Sequence, residues 1–231
     1  MSLAGEGLIA IWNNVTPEAR DDIYEWHNRE HMPERVGIAG FRRGRRYRAI
    51  EADVEFFTLY ETDTAQVHTG GDYTARLNAP TPWTQRAVRG FLDTSRSLCQ
   101  VAASFGTGQG GLLVTYRYDV APEREAAHRD WLAQQVLPVL ADMAGVVGVH
   151  LGIADRAASA VQTVEKKDLP PVLVPNWVIL VEGGSEAPPL LAACDAALPE
   201  QRLIEAGAIA PIRRGLYQLQ YTRLKTARSA G

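Results

Sequence analysis

The sequence has little cysteine, no excess of one charge and no long apolar run. Its two cysteines, Cys99 and Cys194, lie far apart and form no CxxC, which argues against a disulfide framework. A formal net charge of -3 provides no global field to attract nucleic acid or an anionic membrane. No stretch approaches the roughly 20 apolar residues of a spanning helix, and the start lacks a secretory signal pattern. We therefore predict a cytoplasmic protein.

The chain contains enough apolar residues for a full core, and it consists of two similar copies. The 231 residues are 46% apolar, which fits one large domain or two small ones. A shift of 105 residues aligns the chain with itself without a gap and pairs Trp26 with Trp131, Pro33 with Pro138, and Gly40 with Gly145. Later, FFTLYE falls on WVILVE at a shift of 121, so the second copy carries 16 extra residues. We predict repeats over 1–107 and 108–231, with a long hairpin insertion at about 154–174.

Each copy has the same order of predicted elements. In the first copy, GLIAIWN predicts a strand, and Thr16, Pro17 and Glu18 predict a helix start through an N-cap, a first-turn proline and an acid. FRRGRRYRAI and VEFFTLYE predict two further strands, Thr81 and Pro82 begin a second helix, and SLCQVAASF predicts the last strand. The order βαββαβ is that of the ferredoxin-like motif.

The stretch YEWHNREHMPERVGIAGFRRGRRY, with LNAPTPWT downstream, resembles members of the dimeric α/β-barrel superfamily, in the group of EthD-like proteins. The resemblance spans nearly all of both copies. It implies an α+β fold in which two tandem ferredoxin-like βαββαβ repeats form an intramolecular dimeric-type α+β barrel. The superfamily includes cofactor-free monooxygenases, muconolactone-type isomerases, polyketide cyclases and haem enzymes, so the resemblance does not select one activity.

Two histidines, His27 and His31, stand four residues apart in HNREH. This stretch matches H-x-x-E-H, in which two imidazoles bind zinc and the glutamate activates water. A catalytic zinc needs a third protein ligand, and the end of the first copy, QVAASFGTGQGG, offers none. Pro33 should also interrupt the helix just after the motif. Ligands could still converge from elsewhere in the first copy, namely Glu51, Glu55, Glu61 or His68. We predict no bound metal and keep a zinc hydrolase as an alternative.

The second copy has Leu132 and Val136 where the first has His27 and His31. These two residues belong to an apolar stripe at helical spacing, which is typical of a helix face packed on a sheet. The histidines should therefore face the sheet too, where an unpartnered polar group costs about 1 to 3 kcal/mol. Either strand residues and buried water satisfy them, or a ligand pocket lies beneath them.

We name His27 and His31 as candidate catalytic residues. An imidazole near its ordinary pKa of about 6.5 can remove and return a proton at neutral pH without a cofactor. Six other side chains could supply aromatic or cationic contacts to a substrate: Tyr24, Arg46, Tyr60, Tyr73, Arg76 and Trp83. Trp26 is interpreted as core, because Trp131 matches it in the other copy.

The basic run FRRGRRYR is divided by strand alternation, which places Arg43 and Arg45 on one face of the strand. The opposite face receives the other three arginines, Arg42, Arg46 and Arg48. No single stripe of charge results, so we predict ion pairs on the surface rather than a nucleic-acid site, with Arg46 as an alternative anchor for a substrate anion.

The predicted function is small-molecule binding, with a candidate activity as a cofactor-independent isomerase, cyclase or monooxygenase acting on a cyclic or aromatic carbonyl compound. The rival is a non-catalytic binding or stress-related protein of the same fold. A haem protein, in which a histidine would ligate iron, is a further alternative. The expected partners are a small-molecule ligand and a second copy in a homodimer, without nucleic acid or membrane.

Overall fold

The structure is a computed structural model that describes residues 2–161, 164–166 and 173–225. Its strands form a closed antiparallel barrel in the order β1-β3-β2-β8-β5-β7-β6-β4. The eight strands are β1 Gly7–Val15, β2 Phe41–Glu51, β3 Phe56–Thr62, β4 Phe91–Gly106, β5 Leu112–Val120, β6 Val146–Ala154, β7 Trp177–Gly183 and β8 Ala208–Leu224. The predicted α+β fold, with a barrel of the dimeric type made from one chain, is confirmed.

Each half of the chain contributes four strands in the same order. The first half reads β4-β1-β3-β2 and the second reads β8-β5-β7-β6, and the two sheets join through β2 with β8 and β4 with β6. Closure pairs the strands that would otherwise be edges. The boundary predicted at 107 falls in the connection between β4 and β5, and the division into two domains stays a prediction.

Short helices cover the outer face of the barrel. In the first half they are α1 Arg20–Trp26, α2 Met32–Gly37, α3 Gly71–Asn78 and α4 Pro82–Ala87. In the second they are α5 Glu125–Trp131, α6 Leu137–Ala141, α7 Arg156–Ala160, α8 Ala187–Ala197 and α9 Glu200–Glu205. As predicted, Thr81 caps α4, because its hydroxyl accepts a hydrogen bond from the backbone N–H of Thr84. Within the described ranges, no helix is long and apolar enough to cross a membrane.

Strand alternation separates the core into a layer inside the barrel and layers beneath the helices. Inside, Trp12, Phe57 and Tyr217 stack in sequence, with ring centroids 4.8 Å apart for the first pair and 5.9 Å for the second. Beneath the helices of the second half, aliphatic side chains of α6 and α8 pack on β5, β6 and β7. The candidate site belongs to the corresponding layer of the first half.

Arg43 and Arg45 correct the prediction of a surface ion-pair network, because both side chains point into the barrel and are buried. The Arg45 guanidinium lies 3.0 Å from Glu182 of β7 and 3.0 Å from Glu61 of β3. Arg43 donates through Nε to Glu61 at 2.8 Å. The sequence shows which arginines share a strand face, but only closure of the barrel turns that face into an interior.

The described part of the predicted insertion contains two short helical segments, and its form as a hairpin stays a prediction. Helix α7 begins at Asp155, whose carboxylate accepts a hydrogen bond from the N–H of Ala158 at 2.9 Å. A second turn, Val164–Lys166, brings Glu165 into an ion pair with the buried Arg35 of α2. The insertion of the second half therefore contacts the first half. Its remaining positions, 162–163 and 167–172, lie outside the described residues.

Candidate functional site

A wide helical turn carries both histidines. Residues His27–His31 form a π turn between α1 and α2, in which the N–H of Met32 bonds to the carbonyl of His27. Pro33 accounts for the widening, because proline has no N–H to donate and clashes with the carbonyl four residues before it in a regular α-helix. The interruption expected at Pro33 takes the form of this wide turn, after which the helix continues as α2 to Gly37.

The same π turn occurs in the second half, at Leu132–Val136, just before Pro138. Because the second turn holds only buried aliphatic side chains at the two matching positions, the widening belongs to the shared scaffold. The first half differs in that its π turn carries two imidazole side chains at these positions.

His27 lies between an arginine and a tyrosine. Its Nδ1 is 3.2 Å from Nη1 of Arg46, and its Nε2 is 3.4 Å from the hydroxyl of Tyr60. The ring is 7% exposed. Burial, and then the positive charge of Arg46, lower the pKa of His27 to about 3. His27 is therefore a neutral, hydrogen-bonded imidazole at physiological pH.

His31 is buried as well, but its Nδ1 has no hydrogen-bond partner among the residues that the structure describes. Its ring stacks obliquely on Trp26 at a centroid distance of 4.2 Å and lies 6.4 Å from the ring of Tyr60. Burial lowers the pKa of His31 well below its ordinary value, and the charge of Arg35 acts in the same direction. All five histidines of the sequence are described, and His31 alone has a buried ring nitrogen without a partner.

Arg46 supplies a positive charge to this site without a paired acid. Its guanidinium donates to Asn28 at 2.9 Å and to Gln220 at 3.3 Å, in addition to its contact with His27. It also lies over the ring of Tyr24 at 4.7 Å, a cation–π contact. Across the described part of the chain, no carboxylate forms an ion pair with it. A buried guanidinium with only neutral partners is suited to binding an oxygen that carries negative charge.

These groups surround a cavity of about 40 Å³ between α1, the π turn and the sheet. Its lining comprises Ile11, Asn13, Val15, Ile23, Tyr24, Trp26, His27, His31, Arg46, Phe56, Thr58, Tyr60 and Phe91. The volume has room for a few water molecules, whereas pockets for small organic ligands usually measure about 300 Å³ or more. A cyclic ligand therefore requires some of these side chains to move.

The matching region of the second half has no such polarity. The positions that correspond to His27, His31, Arg46 and Tyr60 are Leu132, Val136, Leu151 and Val181. All four of those aliphatic side chains are buried in one continuous core cluster. The first half therefore holds four polar side chains where the same scaffold can be filled with hydrocarbon.

The structure brings five of the eight predicted site residues together at this cavity, and the other three lie elsewhere. Tyr73 packs on Phe41 at a centroid distance of 5.4 Å and accepts a hydrogen bond from Arg96. Arg76 is exposed on α3. Trp83 is half-buried on α4 and donates to Asp22 at 2.9 Å. Helices α3 and α4 cover other parts of the sheet, which the residue types alone did not reveal.

Among the lining residues that carry a polar side-chain atom, three were missed or interpreted differently from the sequence. Trp26 was interpreted as core and is indeed buried, but its indole also forms a wall of the cavity and donates to Thr84 at 3.1 Å. Thr58 and Asn13 were not named at all. Alternation along β3 from Tyr60 would have identified Thr58, because residues two apart share a strand face. Asn13 gave no comparable signal, because a bulge interrupts the pairing of β1 beside it.

The glutamate of the H-x-x-E-H motif does not join the imidazoles. Glu30 accepts hydrogen bonds from the hydroxyls of Thr81 and Thr84, the latter at 3.2 Å, and so ties the π turn to α4. In the described ranges, no group of three or more His, Cys, Asp or Glu side chains is arranged to hold a metal ion. The residues present therefore do not fit a catalytic zinc. A haem group would need far more space than the cavity provides.

Larger clefts lie on the surface, among them one of about 350 Å³ beside Trp131 and two of greater volume. One, of about 730 Å³, lies beside β4 and β6 and includes His68, whose Nε2 is already bonded to Thr62 at 2.8 Å. The other, of about 590 Å³, lies at one mouth of the barrel and includes Arg117, which pairs with Asp53 at 2.7 Å. By volume these clefts are better suited to a small organic ligand than the cavity is. However, His31 with its unpartnered nitrogen and Arg46 without a paired acid line the small cavity.

No family model matches this sequence, and no curated protein matches it. Among solved structures, an anthrone oxidase-like protein is similar over 100% of this chain and 98% of its own, with a TM-score of 0.63 and 12% identity. A proposed monooxygenase from Fusobacterium nucleatum covers 96% of both chains, with a TM-score of 0.58 and 10% identity. A third structure, a proposed monooxygenase from Lactobacillus acidophilus, covers 95% of this chain and 97% of its own, with a TM-score of 0.56 and 7% identity.

At such low identity these similarities establish the fold alone, an α+β barrel built of ferredoxin-like halves. They agree with the superfamily that the sequence resembles. The narrower resemblance to the EthD-like group stays a prediction.

Proposed function

We propose that the cavity of the first half binds a cyclic or aromatic carbonyl compound and that His31 exchanges a proton with it. One observation carries the proposal: the imidazole of His31 is buried and its Nδ1 has no partner among the described residues. It lines a cavity that Arg46, which has no paired acid, also lines, in a layer that the second half fills with aliphatic side chains. An unsatisfied buried polar atom costs about 1 to 3 kcal/mol, and a bound ligand would offset that cost.

Groups of the site can supply both the acceptor for the proton and a positive charge for the oxyanion that its removal creates. Neutral His31 takes the proton from a carbon next to the carbonyl, and the electron pair of that C–H bond moves onto the carbonyl oxygen as an enolate. The resulting negative charge lies near Arg46, so the imidazolium and the oxyanion form together and cancel. No cofactor takes part in this step. Return of the proton to another position gives an isomer, and attack on a second carbonyl gives a cyclised product.

Oxygenation is a third outcome, for which molecular oxygen would be the co-reactant. The similar structures, an anthrone oxidase-like protein and two proposed monooxygenases, favour this outcome over the other two. The rival function is binding without chemistry, in which the same cavity holds a ligand and the histidine only contributes polarity.

Proton exchange on 2-tetralone, an enolisable ketone fused to an aromatic ring, tests the proposal. In D₂O, we expect the protein to accelerate loss of the proton signal next to the carbonyl, followed by NMR. His31→Ala should remove at least about 90% of the acceleration, in keeping with the tenfold or larger effects of general bases. Because the pKa of His31 is lowered, kcat/KM should stay constant as pH falls through 6.5, where an exposed histidine would lose activity.

The matched control is His128→Ala, which removes a buried histidine from the second half and should leave the exchange rate unchanged. Exchange no faster than in buffer would refute proton abstraction for this ketone. Ligand-induced shifts of His31 resonances without exchange would then support the binding function.

A further inference from the structure

The two histidines of the site do not share one role, because their partners differ. Arg46 approaches Nδ1 of His27 at 3.2 Å, and a guanidinium carries only N–H donors. Nδ1 must therefore accept, and the single proton of the neutral ring must lie on Nε2. If the ring were flipped, the nitrogen facing Arg46 would still be the acceptor and the other would still carry the proton.

The protonated Nε2 of His27 faces the hydroxyl oxygen of Tyr60 at 3.4 Å. That oxygen accepts a hydrogen bond from the imidazole N–H, so the O–H of Tyr60 must point elsewhere. The Tyr60 side chain is 2% exposed, and His27 is its hydroxyl's sole partner among the described residues. Burial also raises the pKa of Tyr60, which keeps the phenol protonated. The hydroxyl is left with a proton to donate into the cavity that it lines.

The second half also contains a tyrosine–histidine pair, Tyr118 and His128, but its hydrogen bond runs in the opposite direction. The Nδ1 of His128 lies 3.1 Å from the carbonyl oxygen of Ala206, which can only accept. Nδ1 of His128 must therefore carry the proton, and its Nε2 must accept from the hydroxyl of Tyr118 at 3.0 Å. Tyr118 thus donates a hydrogen bond to His128, whereas the O–H of Tyr60 remains available to donate.

We infer that His27 is a positioning residue rather than a base, and that it directs the hydroxyl of Tyr60, together with Arg46, onto one oxygen of the ligand. This inference rests on the proposed function and narrows its ligand class. The ligand carries a phenol, enol or enolate oxygen that accepts hydrogen bonds from the Tyr60 hydroxyl and from the Arg46 guanidinium. His31 then has no competitor for the role of base, because neither nitrogen of His27 is free to take a proton.

Nitrogen-15 NMR of the ligand-free protein tests the first part, because protonated and unprotonated ring nitrogens have distinct chemical shifts. At pH 7 we expect His27 to be protonated on Nε2 and His128 on Nδ1. A His27 ring protonated on Nδ1, or on both nitrogens, would overturn the inference. This readout needs no substrate, so it stands or falls independently of the exchange assay on 2-tetralone.

Binding of 4-nitrophenolate and nitrobenzene, which differ by one oxygen, tests the second part. The full chain should prefer 4-nitrophenolate, and Tyr60→Phe should reduce that preference about tenfold, the usual weight of one hydrogen bond to a charged group. Tyr118→Phe, which removes a hydroxyl that donates to His128, should leave the preference unchanged. An unaltered preference in Tyr60→Phe, or no preference in the unmodified chain, would refute the role assigned to Tyr60.

Discussion

At the scale of single residues, the site is defined by which buried histidines have partners. His128 bonds to Tyr118 and to the carbonyl of Ala206, so it is a structural histidine. His31 has a buried nitrogen without a partner in the described structure, so its polarity lowers the stability of the free protein. Such a conflict between stability and side-chain chemistry is typical of functional positions.

Replacing His31 by leucine should therefore stabilise the protein. We expect the free energy of unfolding to rise by about 1 kcal/mol, because the substitution removes an unsatisfied polar atom and fills the same layer with hydrocarbon, as Val136 does in the second half. Urea denaturation followed by tryptophan fluorescence measures the change.

His128→Leu is the control for this substitution, because it leaves the hydroxyl of Tyr118 and the carbonyl of Ala206 without their bonds. Its expected effect has the opposite sign, a loss of about 2 to 4 kcal/mol. If His31→Leu is as destabilising as His128→Leu, then His31 has a structural partner and the argument for a ligand fails.

At the scale of elements, the π turn and its anchoring decide where the imidazoles point. The turn releases the carbonyl of Asn28 from the helix, and the hydroxyl of Tyr221 donates to it at 3.4 Å. On the other side, Glu30 accepts from the hydroxyls of Thr81 and Thr84 at the start of α4. The turn is therefore held by β8 from one side and by α4 from the other.

Thr81→Ala should loosen this arrangement. It removes both the N-cap of α4 and a hydrogen bond to Glu30, so we expect a loss of about 1 to 2 kcal/mol in the free energy of unfolding. The variant should also broaden the NMR resonances of His27 and His31. Asp155→Ala, which removes only the N-cap of α7, should cost about 1 kcal/mol and leave those resonances sharp. Sharp resonances in Thr81→Ala would show that α4 does not fix the turn.

At the scale of the whole molecule, buried ion pairs cross the inside of the barrel. Arg45 of the first half contacts Glu182 of the second at 3.0 Å, and both side chains are about 1% exposed. The pKa of Glu182 falls to about 2: burial opposes this shift, but the hydrogen bond from His150 and the charge of Arg45 outweigh it. The carboxylate is therefore ionised throughout the physiological range and ties the two sheets together.

Glu182→Gln should weaken the whole barrel. Removing one charge leaves Arg45 without one of its two buried acids, and breaking such a pair typically costs about 3 to 5 kcal/mol. Because the pair links the two halves, urea unfolding should remain a single transition at a lower midpoint. Asp195→Asn, which breaks an exposed pair with Arg214, should change stability by less than about 1 kcal/mol. Equal changes in the free energy of unfolding for the two substitutions would contradict a structural role for the pair of Arg45 and Glu182.

The sequence by itself determined the repeated βαββαβ order, the α+β barrel and the helix face that carries His27 and His31. The repeated order and the helix face follow from local periodicity and from comparison of the two copies, in which Leu132 and Val136 mark the face turned to the sheet. The barrel is what the resemblance to the dimeric α/β-barrel superfamily implies. Proline at the same place in both copies likewise fixes the form of that helix.

Only the tertiary structure decided which side chains meet. It placed Arg46 and Tyr60 against His27, sent Tyr73, Arg76 and Trp83 to other surroundings, and turned Arg45 into the barrel. The physical reason is that hydrogen-bond direction and burial depend on pairings between strands far apart in the sequence. Residue types and spacing can identify two candidate histidines, but the neighbour that the fold places beside each ring determines which nitrogen carries the proton.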